Sequence, residues 1–450
     1  MCNQTNLISL NPSDFVFFAS EDVFPSMGML VTLQFSQTHG IEKIREGMRH
    51  MLALFPRLRS RVVSKVFSYK IKILNNTGED IERLFDEAFT VHHDLIYNTS
   101  DYFEFRREFL NRPFLLQEKL PIRIAFIPDN DKPVLLITIH HMTCDGLSFH
   151  KVIDTFMAYL NGHNPISLKI DNPSLWPAIL ETPFYRIPIQ LYKSFKVYRS
   201  ITSEKKHYSV VHSSLRPSQK YSKVNLHNHV LPFDVDTVKR TSKDLGCSLT
   251  VLILVALTHV FSRRQKEKQK GNTIAIYHTI DTRSFFQKSP LFGNYALFSK
   301  INIHMRYWDN IGRLVDEINK QLRRNVNRYK NKEMLFYYLI EIVPPVFLGK
   351  RILSYLIKKA KKNKLRMING TCFVSTGGSL DRFNSHGPHA QVSEFVDSAT
   401  INHMFVAITS LDGRISTNIT YPEAEYSLDE IKDLVQSLDC TLAELLNSTT

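Results

Sequence analysis

Cysteine is scarce in this chain and follows no pattern. Five occur in 450 residues, Cys2, Cys144, Cys247, Cys372 and Cys440, scattered and odd in number. That excludes a disulfide-built scaffold and points to free thiols in a reducing compartment, so a cytoplasmic protein is expected. No CxxC or clustered Cys/His spacing offers a zinc site, and no metal is expected. No run of about 18 uncharged apolar residues exists, so no transmembrane helix is expected. The opening Met1-Cys2-Asn3-Gln4-Thr5 lacks the basic and then apolar regions of a secretory signal. Internal repeats are missing too. So are zinc-finger spacing, an RRM-like aromatic signature and a basic recognition helix, which argues against nucleic acid as a partner.

Acidic residues are outnumbered. Net charge is +14 and the pI is near 9.4. The excess gathers in three clusters: Lys193, Lys196, Arg199, Lys205 and Lys206; Arg263, Arg264, Lys266, Lys268 and Lys270; and Lys358, Lys359, Lys361, Lys362, Lys364 and Arg366. Two readings stay open, solvated helix ends or attraction to an anionic partner. Phosphorylated CoA, an acidic carrier protein and an anionic membrane surface all fit the second. The rest of the composition, 43% hydrophobic and 22% charged, is that of a globular protein with a large core.

Strand-like and helix-like patterns alternate along both halves. Strands are expected at 29–35, 59–63, 68–73, 120–127 and 134–139, and helices at 41–55 and 147–160, the latter closed by Gly162. Residues 163–223 are rich in Pro, Ser and basic side chains and read as a crossover, with one amphipathic basic helix near 189–199. In the second half, strands are expected at 229–233, 272–280, 295–305, 371–375, 404–410 and 415–421. Helices are expected at 235–245, 250–263 (capped by Ser248), 310–328 and 427–446. Ser427 and Glu430 form a capping box at the start of the last one. The pattern gives three sections, 1–180, 181–223 and 224–450, with two α/β lobes at the ends.

The most informative segment is Leu135-Leu136-Ile137-Thr138-Ile139-His140-His141-Met142-Thr143-Cys144-Asp145-Gly146. A buried strand ends in two imidazoles. An acid follows that can fix the loop, then a glycine that allows close backbone approach, and then a helix. Asp281-Thr282-Arg283 with Phe292-Gly293-Asn294 is a second such point: Gly293 permits an unusual backbone angle and Asn294 can bond locally. Arg283 offers a bidentate partner for Asp145. Val374-Ser375-Thr376-Gly377-Gly378 is a third, an apolar strand ending in hydroxyls and glycines, although the same run also makes a good turn.

HHxxxDG in this setting resembles the active-site signature of the CoA-dependent acyltransferase superfamily. That superfamily takes in chloramphenicol acetyltransferase, BAHD acyltransferases, condensation domains and wax ester synthases. Leu120-Pro121-Ile122-Arg123 is similar to the strand that precedes the signature there, and Asp281 to Asn294 resembles the D-x-R and F-G-N segments of BAHD and wax-ester-synthase-like enzymes. Leu10-Asn11-Pro12-Ser13-Asp14 and Ser26-Met27-Gly28 are similar to the start of wax ester synthases. The resemblance implies an α/β fold of two chloramphenicol-acetyltransferase-like lobes, mixed sheets flanked by helices, with an active-site tunnel between them. It implies acyl transfer from a CoA thioester to an alcohol, with no bound cofactor, acyl-CoA as co-substrate and no acyl-enzyme. His141 is then the general base. His140 and Asp145 hold the loop, Gly146 keeps the tunnel open, Arg283, Gly293 and Asn294 support, and Ser375 or Thr376 faces the reacting carbonyl.

The chain departs from its relatives as well. The DFGWG motif of BAHD enzymes is absent, and Leu120-Pro121-Ile122-Arg123 stands where wax ester synthases carry a PLW-like motif. No carrier-protein or adenylation segment follows, so a stand-alone, divergent member is expected. Condensation-type transfer from a carrier-protein thioester to an amine or alcohol, and a non-catalytic binding protein on the same fold, remain as alternatives. The apolar run Met334 to Leu348, followed by a basic helical pattern at 351–365, suggests a lipid-like acceptor or a peripheral membrane contact. It also reads as a packed core pair with a solvated basic end.

Overall fold

The computed structural model describes residues 7–65, 68–129, 132–165, 182–218, 220–266, 271–285, 292–334, 336, 346–362, 370–401 and 403–447, a few of them by backbone alone. Most of 334–348 thus lies outside the described residues, as do Lys268 and Lys270 of the second basic cluster and Lys364 and Arg366 of the third. Fourteen strands are described: β1 (Leu7–Ser9), β2 (Gly28–Phe35), β3 (Ser60–Lys65), β4 (Ser68–Ile73), β5 (Phe89–Val91), β6 (Ile122–Ile127), β7 (Val134–His140), β8 (Val224–Asp234), β9 (Thr273–Asp281), β10 (Ala296–His304), β11 (Cys372–Ser379), β12 (Val392–Ala399), β13 (Phe405–Leu411) and β14 (Arg414–Pro422). They form a five-stranded sheet in the order β12-β2-β7-β6-β5, a six-stranded sheet in the order β10-β9-β11-β13-β14-β8, and a small β1-β4-β3 sheet. Both larger sheets mix parallel and antiparallel pairs.

The central position of β7 follows from its sequence. Every residue from Val134 to His140 is buried, as an apolar run between two covered faces must be. Successive side chains point to opposite faces. Leu135, Ile137 and Ile139 join a core with the helices Ile41–Leu54 and Gly146–Leu160. Val134 and Leu136 join another with the helix Ser100–Asn111. In the second lobe, helices Leu249–Lys266, Ile311–Lys330 and Leu428–Asn447 cover one face of the six-stranded sheet. From its other face Phe373, Phe405 and Ala407 enter the first lobe's core, so the lobes share apolar packing. No single described helix is long and apolar enough to cross a membrane.

The local signals behave as their chemistry dictates. The Ser427 and Glu430 side chains accept from each other's backbone N–H at 3.2 and 2.7 Å. Gly162 adopts φ +87° and closes its helix, with the His163 N–H returning to the Ala158 carbonyl.

Three readings need correction. The strand expected to end at 375 runs on to Ser379, and the Ser-Thr-Gly-Gly run is a β-bulge between Thr376 and Gly378 rather than a turn. Gly378 supplies φ +73° there, and a side-chain carbon at Gly377 would lie 2.7 Å from Thr409 Cγ2. The basic helix near 189–199 is 21 residues long, Ile187–His207, inside the section read as a linker. Finally, the 224–450 section lends β12 to the first lobe, where it pairs antiparallel with β2 over Val392 to Ala399. Phe395 of that strand is 2% exposed, opposite Leu33 in the first lobe's core. Phe395→Ala is therefore expected to cost about 3–5 kcal/mol of stability in urea denaturation. A loss under about 1 kcal/mol would mean that β12 is not part of the lobe-joining core.

Candidate active site

The signature loop leaves β7 between the two lobes and is held from both. His140 is fully buried. Its Nδ1 accepts from the Met142 N–H at 3.0 Å, so the ring proton sits on Nε2 and is donated to Glu21 Oε2 at 3.1 Å. Glu21 also accepts from the Met27 and Phe114 N–H groups at 2.7 and 2.6 Å. Every polar atom of His140 is thereby committed to structure.

His141 differs. Its backbone is clamped on both sides: the N–H donates to the Met27 carbonyl at 2.8 Å, and its carbonyl accepts from Asn294 Nδ2 at 2.8 Å. The ring is half-buried and stacks on Phe17, 3.9 Å between centroids and 11° between planes. Nδ1 is closed off from solvent and makes no hydrogen bond of normal geometry. Burial lowers the imidazole below the ordinary His range, and its own carbonyl, Asp145 and Asn294 only partly oppose this. Nε2 is the ring nitrogen not closed off in this way.

Asp145 is 1% exposed and caps the helix Gly146–Leu160, accepting from the Ser148 N–H at 2.8 Å. Arg283 Nη2 donates to both of its oxygens at 2.9 Å, and the Tyr295 and Ala296 N–H groups donate to Oδ2 at 2.7 and 3.1 Å. Burial works against the Arg283 charge, but the Asp145 and Asp281 carboxylates outweigh it and hold the guanidinium above its usual value. Ser148 completes the joint. Its hydroxyl accepts hydrogen bonds from Arg283 Nη2 and from the Gly293 N–H and donates one to the Gly293 carbonyl. Gly293 adopts φ +148°, which favours glycine.

Asn294 reaches further, donating also to Asp14 Oδ1 at 2.7 Å. Asp14 pairs with Arg57 at 2.9 Å, both nearly fully buried, and Arg57 donates to the Met142 carbonyl at 2.7 Å. Burial raises the Asp14 carboxyl despite Arg57 and Asn294. Gly146 is exposed, and a side-chain carbon there would meet nothing within 4 Å. Cys144 is fully buried, and burial drives its thiol far above the ordinary range, which disfavours a thiolate nucleophile.

The structure thus brings together His140, His141, Asp145, Arg283, Gly293 and Asn294. Ser375 and Thr376 stand apart among the described contacts: Ser375 Oγ lies 3.3 Å from Thr279 Oγ1, and Thr376 is exposed. Their strand meets the signature helix two residues later, where a side-chain carbon at Gly377 would come within 2.9 Å of His150 Cε1. The sequence reading missed Phe17, Glu21, Arg57 and Ser148, and named Asp14 only within the N-terminal likeness. One signal was available, Asn11-Pro12. Asn11 caps the helix Pro12–Ser20 by accepting from the Asp14 N–H, with Pro at its first position.

No family model matches the chain, and no curated protein matches it. Among solved structures, TRI3 trichothecene 15-O-acetyltransferase from Fusarium sporotrichioides aligns at a TM-score of 0.69 and 12% identity over 97% of this chain and 95% of its own. The first condensation domain of the CDA synthetase aligns at 0.68 and 10% over 99% and 97%. The epimerization domain from the third module of tyrocidine synthetase B aligns at 0.67 and 14% over 99% and 97%. The chain has the two-lobed condensation-domain fold. An acetyltransferase and an epimerization domain share it, so the fold leaves the reaction to be read from the site.

Asp145→Asn removes a buried charge and leaves Arg283 half-compensated. It is expected to cost about 2–4 kcal/mol in urea denaturation, and Arg283→Met added to it should cost less than the two changes summed. Additive costs would show that the pair is not coupled.

Proposed function

We propose that this chain transfers an acyl group from a thioester to an alcohol, with His141 as general base, as a divergent member of the CoA-dependent acyltransferase superfamily. The observation that carries the reading is the contrast between neighbouring imidazoles. His140 is spent on Glu21 and Met142, while His141 is clamped by its backbone and favoured neutral by burial, with Nδ1 closed off from solvent and Nε2 not. A neutral imidazole on a fixed backbone is what removal of a hydroxyl proton near neutral pH requires.

His141 Nε2 takes the acceptor's proton as the oxygen attacks the thioester carbonyl. The tetrahedral intermediate collapses, the C–S bond breaks, and the imidazolium returns the proton to the departing thiolate. The ester and a free thiol leave, and the base is restored without an acyl-enzyme. Asp145, Arg283 and Asn294 act as positioning residues. We assign the Ser375 or Thr376 hydroxyl, which stands apart from His141 among the described contacts, to the carbonyl oxygen of the bound thioester. CoA is the favoured donor, because a starter condensation domain aligning at a TM-score of 0.66 and 10% identity is described in complex with C8-CoA. A carrier-protein thioester would present the same carbonyl and thiolate.

The test is thiol release from acyl-CoAs of increasing chain length, with mixed alcohols, for wild type, His141→Ala and Cys144→Ala. Acceptor-dependent release is expected to fall about 100-fold or more in His141→Ala and to persist in Cys144→Ala. Equal release from wild type and His141→Ala would remove the base from the mechanism. Release from a carrier-bound acyl group alone would replace the donor, and none from either donor would favour a binding protein.

A further inference from the structure

The helix Ile187–His207 is amphipathic in the reverse sense. Ser194 and Val197, three residues apart, are its buried side chains among the described residues, with the Ser194 hydroxyl donating to the Glu333 carbonyl at 2.5 Å. Ile189, Leu191, Tyr192 and Phe195 point outward, 42–59% exposed, and Phe184 just before the helix is 84% exposed. A solvated helix places polar residues on that side.

The helix Lys350–Lys362 repeats the arrangement. Leu353 and Ser354 are buried against the helix Pro12–Ser20, with the Ser354 hydroxyl donating to the Ala19 carbonyl at 2.8 Å. Ile352, Tyr355 and Leu356 face out, and Phe347 ahead of the helix is 84% exposed. Together the two stretches hold 12 of the 21 exposed large hydrophobic side chains among the described residues, so the exposed apolar surface is concentrated here.

Charge separates these faces from an ordinary protein interface. Residues 182–203 and 342–380 contain no Asp or Glu. Lys193, Lys196, Lys358 and Lys359 are exposed beside the apolar side chains, and Lys196 lies over the Tyr192 ring at 4.7 Å. By contrast Arg263 of the second basic cluster pairs with Glu444, and Arg264 donates to the Glu430 carbonyl. Lys350 pairs with Asp22. Elsewhere, aromatic and aliphatic side chains rimmed by exposed lysines match the headgroup boundary of an anionic bilayer.

We propose that these two helices dock the protein peripherally on an anionic lipid surface. Phe184, Tyr192, Phe195, Phe347 and Tyr355 enter the headgroup boundary, and the flanking lysines meet the lipid phosphates. The docking helix Lys350–Lys362 leans on Pro12–Ser20, whose Phe17 stacks on His141, so that one helix links the docking face to the candidate base. On the acyl-transfer reading, the acceptor is then an amphiphilic alcohol drawn from the membrane. The docking itself does not rest on that reading.

Flotation of the full chain with phosphatidylcholine vesicles, with and without phosphatidylserine, tests the proposal. Binding is expected only with phosphatidylserine, and it is expected to weaken as salt rises. Lys358→Gln and Lys359→Gln should each lower partitioning about fivefold. Tyr355→Glu with Leu356→Glu, and Tyr192→Glu with Phe195→Glu, change outward positions and should weaken binding while circular dichroism stays that of wild type. His141→Ala should float like wild type, which separates docking from catalysis. No flotation with phosphatidylserine, or equal flotation of the Glu variants, would overturn the proposal. So would a dimer in solution that Tyr355→Glu splits and vesicles do not compete with, since a second copy would then own the face.

Discussion

The Asp145 carboxylate joins the two halves of this chain. It caps the helix that follows the signature loop, and from the other lobe it takes two bonds from Arg283 and two from the backbone at Tyr295 and Ala296. A carboxylate this deep survives only with such partners, because an unpaired buried charge costs several kcal/mol. The bonds run between segments about 140 residues apart in sequence, so the loop takes its shape only once both lobes are in place. Asp145 is thus a joint, and its lone pairs are occupied before any substrate arrives.

With the loop fixed, adjacent histidines diverge because alternate residues leave a strand on opposite sides. His140 turns toward Glu21 and is fully satisfied, and His141 turns under Phe17. An apolar ring against one face of His141 and a polar clamp on its backbone give orientation without charge. The network Asp14, Arg57 and Asn294 extends that clamp to the N-terminal helix, so the roof over His141 and the loop beneath it share hydrogen bonds.

How much of this the sequence disclosed depended on how local the physics was. The apolar run into His140, the capping box at Ser427, the closing Gly162 and the pairing of Asp145 with Arg283 carried short-range or chemically obligatory signals. The strand Val392–Ala399 carried neither. Ser393, Glu394 and Asp397 interrupt its apolar positions, and its partner β2 lies some 360 residues earlier. Glu21 and Arg57 carried no local signal, since only the folded chain shows what they face. The Ser375 run read as a turn because Ser, Thr and Gly favour turns, whereas Thr409 and His150 crowding Gly377 show why glycine is needed inside a strand.

The account stands on His141 being neutral at the working pH while its neighbours are committed. The most direct measurement is an NMR titration of the His141 imidazole in the intact protein, assigned by loss of the signal in His141→Ala. The account expects a midpoint below the ordinary His value of about 6.5, because burial disfavours the charged ring. A midpoint well above neutrality would keep the ring a cation at the working pH and contradict its role as base.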